Sequence, residues 1–99
     1  MSPIIESVVL ELAAGRSEAE FLAACAESDT FLRQQPGFLL RRVVKLDQGR
    51  FMDIVEWRSQ AEADAAMKAS MSEPRVAKLM QALNPHSLVV AHYPVVSAA

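Results

Sequence analysis

Three side chains between residues 38 and 58 have types that could bind a ligand and move a proton: Arg41, Asp53 and Trp57. An indole packs against a flat ligand, and a guanidinium binds an anionic or phenolic oxygen. A carboxylate accepts a proton where burial raises its pKa. The alternative is structural, because Arg41 and Asp53 could form a cross-strand ion pair that only stabilises a sheet. Both interpretations require the side chains to share one sheet face.

The spacing of the predicted hairpin places them on one face. Residues 47–49, "DQG", are typical of a three-residue connection with glycine in the left-handed conformation. This loop sets Val43 opposite Asp53, so Arg41 lies diagonal to Asp53, within reach of a long side chain. Alternation along the strand then places Trp57 on the same face. Since Arg42 also finds an acid on the other face, the residues alone leave open which face would line a pocket.

The neighbouring arginine points the other way. Arg42 shares the opposite face with Glu56 and lies diagonal to it, which predicts a second ion pair. The adjacent arginines are therefore two separate features. The chain as a whole has ten basic and twelve acidic side chains and a formal net charge of −2. Because nucleic-acid binding needs a basic stripe, we expect no nucleic-acid partner.

The two histidines, His86 and His92, fall six residues apart in the segment "HSLVVAHYPVV", which reads as a last strand. Side chains at this spacing point to the same face of a strand. We assign His92 to proton transfer; the structural alternative is hydrogen bonding at a strand end or a contact between subunits. The strand would separate the two rings by roughly 20 Å. We therefore expect no metal site.

Met67 and Met71 fall on one face of an alanine-rich helix, "QAEADAAMKASM". Methionine side chains adapt to flat apolar ligands, so we assign both to substrate binding. The alternative is that they fill the core. The single cysteine, Cys25, lies in the middle of a predicted helix and reads as a small buried hydrophobic residue. One cysteine allows no internal disulfide and suits a reducing compartment, so the expected location is the cytoplasm.

The elements that carry these residues alternate as strand, helix, strand, strand, helix, strand. This order predicts an α+β fold of the ferredoxin-like βαββαβ kind, with a four-stranded antiparallel sheet in one domain over residues 1–99. Ser17 with Glu20, and Ser59 with Glu62, are helix-capping pairs. Pro74 is expected to restart or kink the second helix. The predicted strands are 4–12, 38–46, 50–58 and 86–96.

The strands carry apolar residues on both faces, although two helices cover only one. The first strand has Val8 and Leu10 on one face and Ile5 and Val9 on the other. The uncovered face predicts a homodimer whose sheets pack face to face. No segment is long and apolar enough to span a membrane, and the N-terminus lacks a basic signal region. We therefore expect no membrane partner.

The segment "FLRQQPGFLLRRVVKLDQGRFMDIVEWRSQAEADAAM" resembles the antibiotic biosynthesis monooxygenase (ABM) domain of the dimeric α/β-barrel superfamily. The shared features are a helix ending in Pro-Gly-Phe, a hairpin, a third strand ending in Glu-Trp-Arg-Ser and an alanine-rich helix. The resemblance extends over residues 4–94 and implies a dimeric α/β barrel. The family includes cofactor-free oxygenases of polycyclic aromatic substrates, haem-degrading enzymes, quinol oxygenases and small proteins of no known activity.

The functional residues of these relatives carry over in part. Haem-degrading members have an Asn, a Trp and a His at places that hold Val8, Ala66 and Val76 here, so haem degradation is not implied. Some aromatic oxygenases have a Trp at the end of the third strand and an Asn shortly before it. Trp57 matches, and Asp53 is a partial match that changes an amide to a carboxylate. The resemblance therefore favours the face of Arg41, Asp53 and Trp57 as the site, with Asp53 assigned to proton transfer and Arg41 and Trp57 to substrate binding.

The resulting hypothesis is a cofactor-independent monooxygenase-like dimer that acts on a small aromatic or polycyclic compound. No bound flavin, nicotinamide or haem is expected. The alternative is a non-catalytic dimer of the same fold that binds a small ligand or serves a stress response. An enclosed apolar cavity beside Trp57, with at least one polar group pointing into it, would favour a ligand-binding site.

Overall fold

A computed structural model describes residues 2–99, and its α+β, ferredoxin-like architecture confirms the predicted fold class. One difference is that the second helical segment forms two helices, so the order is βαββααβ. The strands are β1 (Ile4–Glu11), β2 (Phe38–Lys45), β3 (Arg50–Trp57) and β4 (Val89–Pro94). The helices are α1 (Glu18–Arg33), α2 (Gln60–Ser70) and α3 (Pro74–Gln81), with a 3-10 helix at Pro85–Ser87.

The four strands form one antiparallel sheet in the order β2-β3-β1-β4. The hairpin between β2 and β3 has the predicted register, with Val43 opposite Asp53. Gly49 in its loop has a φ of 72°, and the amide of Leu46 donates to the carbonyl of Arg50 at 2.8 Å. The turn residues therefore set the register, and the register sets which side chains face the helices.

The helix boundaries follow their capping residues. The Ser17 side chain accepts from the amide of Glu20, whose carboxylate reaches back to form the predicted capping box. The Ser59 side chain likewise accepts from the amide of Glu62. Pro74 occupies the first turn of α3, where its missing N–H costs nothing. The proline thus separates the helical segment into α2 and α3.

The last strand is shorter than predicted, and this corrects the placement of His86. Asn84 caps the 3-10 helix by accepting from the amide of His86 at 3.0 Å. The Ser87 hydroxyl donates to the carbonyl of Asn84 at 2.7 Å. These local bonds hold residues 85–87 out of the sheet, so His86 and His92 do not share a strand face.

The predicted ion pair between Arg42 and Glu56 is absent. The guanidinium of Arg42 donates instead to the main-chain carbonyl of Arg41 at 3.1 Å. No ion pair of residues 2–99 joins Arg42 to Glu56, although their strands pair in the expected register. Both side chains lie on the outer sheet face, where water competes for the charges and makes such a pair worth little.

The three helices cover the inner face of the sheet, and the core beneath them is divided. One cluster of buried residues contains Leu10, Phe21 and Phe51, and the other contains Val55 and Trp57. Within residues 2–99, no helix packs on the outer sheet face. Its side chains are mostly apolar: Ile5, Val9, Leu40, Val44, Met52, Ile54, Val89, Ala91 and Tyr93.

Candidate functional site

A cavity of about 210 Å³ lies between the sheet and the helices and adjoins both core clusters. Its wall is largely apolar, and five polar or charged residues interrupt it: Glu6, Ser28, Arg41, Asp53 and Ser70. Trp57 forms part of the wall. The apolar residues that line it are Val8, Leu10, Phe31, Leu32, Val55, Ala66, Met67, Val76, Leu79, Met80, Leu83, Leu88 and Val90. A concave apolar space with a few polar groups is typical of a ligand site.

Arg41 and Asp53 meet in the cavity wall, as the strand register predicts. Arg41 Nε donates to Asp53 Oδ1 at 3.0 Å, and Nη2 donates to Oδ2 at 2.8 Å. The Arg41 side chain is 7% exposed and that of Asp53 is 16% exposed. This is a two-pronged guanidinium–carboxylate pair, which is the strongest geometry available to an arginine.

Residues of α1 accept the remaining hydrogen bonds of the Arg41 guanidinium, and the sequence analysis missed these acceptors. Arg41 Nη1 donates to Ser28 Oγ at 2.7 Å, to Asp29 Oδ1 at 2.9 Å and to the carbonyl of Cys25 at 3.1 Å. Nη2 also contacts Cys25 Sγ at 3.7 Å. Of the five N–H groups of a guanidinium, four therefore have oxygen acceptors within the protein, and the fifth faces the Cys25 sulfur.

The charge of Arg41 is secured by the same contacts. Burial acts to lower the pKa of Arg41, but the hydrogen bonds and charge of Asp53 outweigh it, so the net direction is upward. Arg41 is thus a permanent cation held between two carboxylates. The geometry agrees with the structural alternative for this pair, while also placing both residues at the cavity.

Trp57 lies at the end of β3, where the sequence placed it, and is 2% exposed. Its ring meets the ring of Phe38 edge to face, with centroids 5.8 Å apart. The indole Nε1 donates to Glu6 Oε1 at 3.4 Å. Packing on one side and a hydrogen bond at the edge therefore hold the indole in place as one wall of the cavity.

Glu6 is the charged residue of the cavity lining that the sequence analysis missed. Its side chain is 13% exposed, and Oε2 lies 3.2 Å from Nε2 of His92. The signal was present in the alternation of β1, because Glu6 falls on the same face as Val8 and Leu10. His92 is on β4 directly opposite Glu6. The ring of His92 does not line the cavity and reaches it only through this carboxylate.

The methionines divide between the cavity and solvent. Met67 lines the cavity and is 46% exposed, which places it at an open side. Met71 ends α2, is 81% exposed and is not part of the cavity lining. The structure therefore does not bring Met71 to the site assigned to it. The exposure of both side chains excludes the interpretation that they fill the core.

Cys25 is buried on α1, as its helical position predicted. Burial raises the pKa of the Cys25 thiol to about 11, the nearby charge of Arg41 lowers it, and Asp53 and Asp29 raise it further. The thiol is therefore protonated at neutral pH and is no nucleophile. No cluster of three or more His, Cys, Asp or Glu that could hold a metal ion occurs among residues 2–99.

The raised pKa of Cys25 predicts a pH-dependent stability. Below about pH 9 the thiol is protonated in both states, so it has no effect. Between about pH 9 and 11 only the unfolded chain loses the proton, so the free energy of unfolding falls, by on the order of 2 kcal/mol at pH 11. Urea denaturation at each pH should show this fall, and Cys25→Ala should be flatter over the same range. Parallel curves for the two proteins would contradict the burial effect.

Comparison with known families decides where the chain belongs. The sequence profile of the family described as "Antibiotic biosynthesis monooxygenase" matches residues 3–83. The chain belongs to this family. The match confirms the family resemblance and includes Glu6, Arg41, Asp53 and Trp57. It ends before β4, so His92 lies outside the matched segment. A search of curated proteins found no match.

Solved structures of the same fold agree with the family assignment. The chain is similar to SnoaB, a cofactor-independent oxygenase from Streptomyces nogalater, with a TM-score of 0.80 and 14% identity over 99% of this chain and 97% of that chain. It is also similar to an antibiotic biosynthesis monooxygenase-type protein from Bordetella bronchiseptica, with a TM-score of 0.81 and 19% identity over 98% and 100% of the two chains. At sequence identities this low, the structural similarity establishes the shared fold and nothing further. None of the described helices could cross a bilayer.

Proposed function

We propose that this ABM-family protein is a cofactor-independent monooxygenase of small aromatic compounds. The observation that carries the proposal is the apolar cavity of about 210 Å³ with Trp57 in its wall. The SnoaB structure, a cofactor-independent oxygenase of the same fold, supports it. The cytoplasm remains the proposed location, because the single cysteine is a buried thiol.

The cavity volume favours a small substrate over a large polycycle. An apolar cavity of about 150 Å³ takes up benzene, so a cavity of about 210 Å³ accommodates one substituted ring or two fused rings. A larger ring system would have to displace Met67 and Met80, which are each 46% exposed at the cavity wall. Methionine side chains rotate easily, so such a substrate would meet the least resistance there.

The chemistry we propose is the oxidation of a hydroxyaromatic compound by dioxygen. The substrate loses its hydroxyl proton and the hydrogen of the ring carbon that is oxygenated, and it gives four electrons to O₂. One oxygen atom enters the ring to give a quinone, and the other leaves as water. The protein's part is to desolvate and orient the ring, since the substrate supplies the electrons. Trp57 and the apolar wall serve this purpose, whereas Arg41 and Asp53 are occupied with each other.

Oxygen uptake tests this function directly. The purified protein, with a metal chelator and without added flavin, should consume O₂ with 1-naphthol or 2-naphthol and release no hydrogen peroxide. Trp57→Phe keeps an aromatic wall but loses the indole N–H, so it should retain part of the rate. If calorimetry shows that these compounds bind but none is oxidised, the protein is the non-catalytic ligand-binding dimer of the alternative hypothesis.

The second part of the proposal is a homodimer formed through the outer sheet face. Val44, Val89 and Tyr93 on this face are 39%, 62% and 57% exposed. A contiguous apolar surface of this kind is typical of an interface. A symmetric dimer would bury the same patch on both subunits, with their sheets packed face to face.

A charge on this face should separate the subunits. Because the contact is symmetric, Val44→Glu introduces two like charges into one interface, and the variant should have half the wild-type mass by light scattering. Leu22→Glu is the matched control, since Leu22 is 45% exposed on α1 in the helix layer and should leave the mass unchanged. A wild-type protein with the mass of one chain, 10.9 kDa, would contradict the dimer.

A further inference from the structure

We propose that Glu6 is the group in the cavity that receives the ligand's hydroxyl, and that it selects neutral hydroxyaromatic compounds over aromatic carboxylates. This inference rests on the proposed function, because it concerns the same cavity. It reverses the expectation that Arg41 would anchor an anionic oxygen. The reason is that the hydrogen-bond donors of Arg41 already have partners within the protein, whereas Glu6 still has free acceptor positions.

Arg41 has no N–H group without an acceptor, since the one that bonds no oxygen faces Cys25 Sγ at 3.7 Å. Its three nitrogens donate to Asp53, Ser28, Asp29 and the main chain of Cys25 at 2.7 to 3.1 Å. The positive charge is also balanced within the wall by the two carboxylates. An anionic ligand at this wall would have to break an internal hydrogen bond for each one that it made.

Glu6, by contrast, has acceptor capacity left. A carboxylate offers about four lone-pair positions. Trp57 Nε1 lies a long 3.4 Å from Oε1, and His92 Nε2 lies 3.2 Å from Oε2. In residues 2–99 no lysine or arginine pairs with Glu6, and its one ion-pair contact is the histidine. The carboxylate therefore presents net negative charge and free acceptor positions to the apolar cavity that it lines.

A group of this kind has a definite chemical preference. An aromatic hydroxyl can donate to Glu6 in a charge-assisted hydrogen bond, which is roughly twice as strong as a neutral one. A carboxylate on the same ring system would meet a like charge in a space of low polarity, where repulsion is strong. An ether on that ring system has neither the donor nor the charge, so it should bind with intermediate affinity.

The same contacts give the hydroxyl proton a way out. When the ligand's O–H bond breaks, the proton goes to Glu6 and the electron pair stays on the ligand oxygen. His92 is bonded to the far oxygen of Glu6, and its side chain is 33% exposed, against 13% for Glu6. The pair therefore connects the cavity to solvent. Glu6 would be the catalytic residue, because it touches the ligand, and His92 would be a positioning residue that acts through it.

Calorimetric titration without oxygen tests the selectivity of the wild-type protein. We expect 2-naphthol to bind at least fivefold more tightly than 2-methoxynaphthalene, and 2-naphthoate to bind most weakly of the three. The opposite order, with 2-naphthoate binding as tightly as 2-naphthol, would overturn the assignment, because it would require a free cation in the cavity. Failure of all three to bind would overturn both this assignment and the proposed function.

The variant Glu6→Gln tests the residue itself. It keeps the side-chain volume and removes the charge, so the preference for 2-naphthol over 2-methoxynaphthalene should shrink and the affinity for 2-naphthoate should rise at least tenfold. Glu11→Gln, on the same strand with its side chain exposed to water, makes the same change in net charge and should keep the wild-type order. Circular dichroism checks that both variants are folded.

Oxygen uptake then separates this inference from the proposed function. The expected selectivity without any oxygen uptake would leave Glu6 as the ligand's partner and reject the oxygenase. Uptake at the wild-type rate in Glu6→Gln would reject Glu6 as proton acceptor and leave the oxygenase intact. His92→Gln should lower kcat and leave KM nearly unchanged. The relative affinities for the three ligands should stay as in the wild type, as expected of a residue that does not touch the ligand.

Discussion

Replacing Arg41 with alanine should lower the free energy of unfolding by about 3–5 kcal/mol. The substitution leaves Asp53 as an unpaired carboxylate that is 16% exposed. It also removes the donor that Ser28, Asp29 and the carbonyl of Cys25 share. Because small domains are stable by about 5–15 kcal/mol, a large part of the protein should be unfolded at moderate urea concentrations.

Arg33→Ala is the matched control, because Arg33 is an exposed arginine in the last turn of α1, in the helix layer and away from the proposed dimer face. We expect a change within about 0.5 kcal/mol. Urea denaturation of both variants and the wild type at one protein concentration gives the comparison, since association would otherwise shift the apparent stability.

A double variant shows whether the loss comes from the unpaired charge. Arg41→Met with Asp53→Leu removes both charges and keeps apolar volume, so it should be clearly more stable than Arg41→Ala. Equal stability of Arg41→Ala and Arg33→Ala, combined with a loss of ligand binding in the first alone, would show that Arg41 serves the ligand and not the fold.

Filling the cavity should abolish ligand binding. Ala66 is 5% exposed on α2 and lines the cavity beside Trp57. Ala66→Leu adds three carbon atoms in the space where a ring would lie, so the affinity for 2-naphthol should fall at least tenfold, which corresponds to about 1.4 kcal/mol. Stability should change little, because the new side chain enters open space and not a filled core.

Ala65→Leu provides the control for this prediction. Ala65 is the preceding residue of α2 and is exposed, so the same added atoms point to water. Its affinity for 2-naphthol and its oxygen uptake should equal those of the wild type. If Ala66→Leu also kept the wild-type affinity, the ligand would bind elsewhere, and the cavity would lose its role in the proposed function.

The relation between Arg41 and Asp53 followed from the sequence because it depends on local structure. A three-residue loop sets the register of one hairpin, and alternation then sets the faces. The capping box at Ser17 and the side-chain cap at Ser59 were equally local. The error at His86 was also local in origin, because the hydrogen bonds of Asn84 hold residues 85–87 in a 3-10 helix, so the strand begins at Val89, three residues later than predicted.

The site itself depended on contacts between distant parts of the chain. Glu6 and His92 are 86 residues apart and meet because β1 lies between β3 and β4. Ser28 and Asp29 reach Arg41 only when α1 packs over β2 and β3. Sequence patterns report periodicity along one element, and they do not report how far apart two layers stand.

The sequence by itself thus determined the family, the elements, the hairpin register and the shared face of Arg41, Asp53 and Trp57. Periodic burial and turn chemistry act over a few residues, so they can be read from the order of residues. Only the tertiary structure decided that a cavity remains between the two core clusters, that Arg41 is fully bonded within the wall, and that Glu6 faces the cavity with acceptor positions free. Those outcomes depend on how side chains from different elements fill a shared volume, which no single segment encodes.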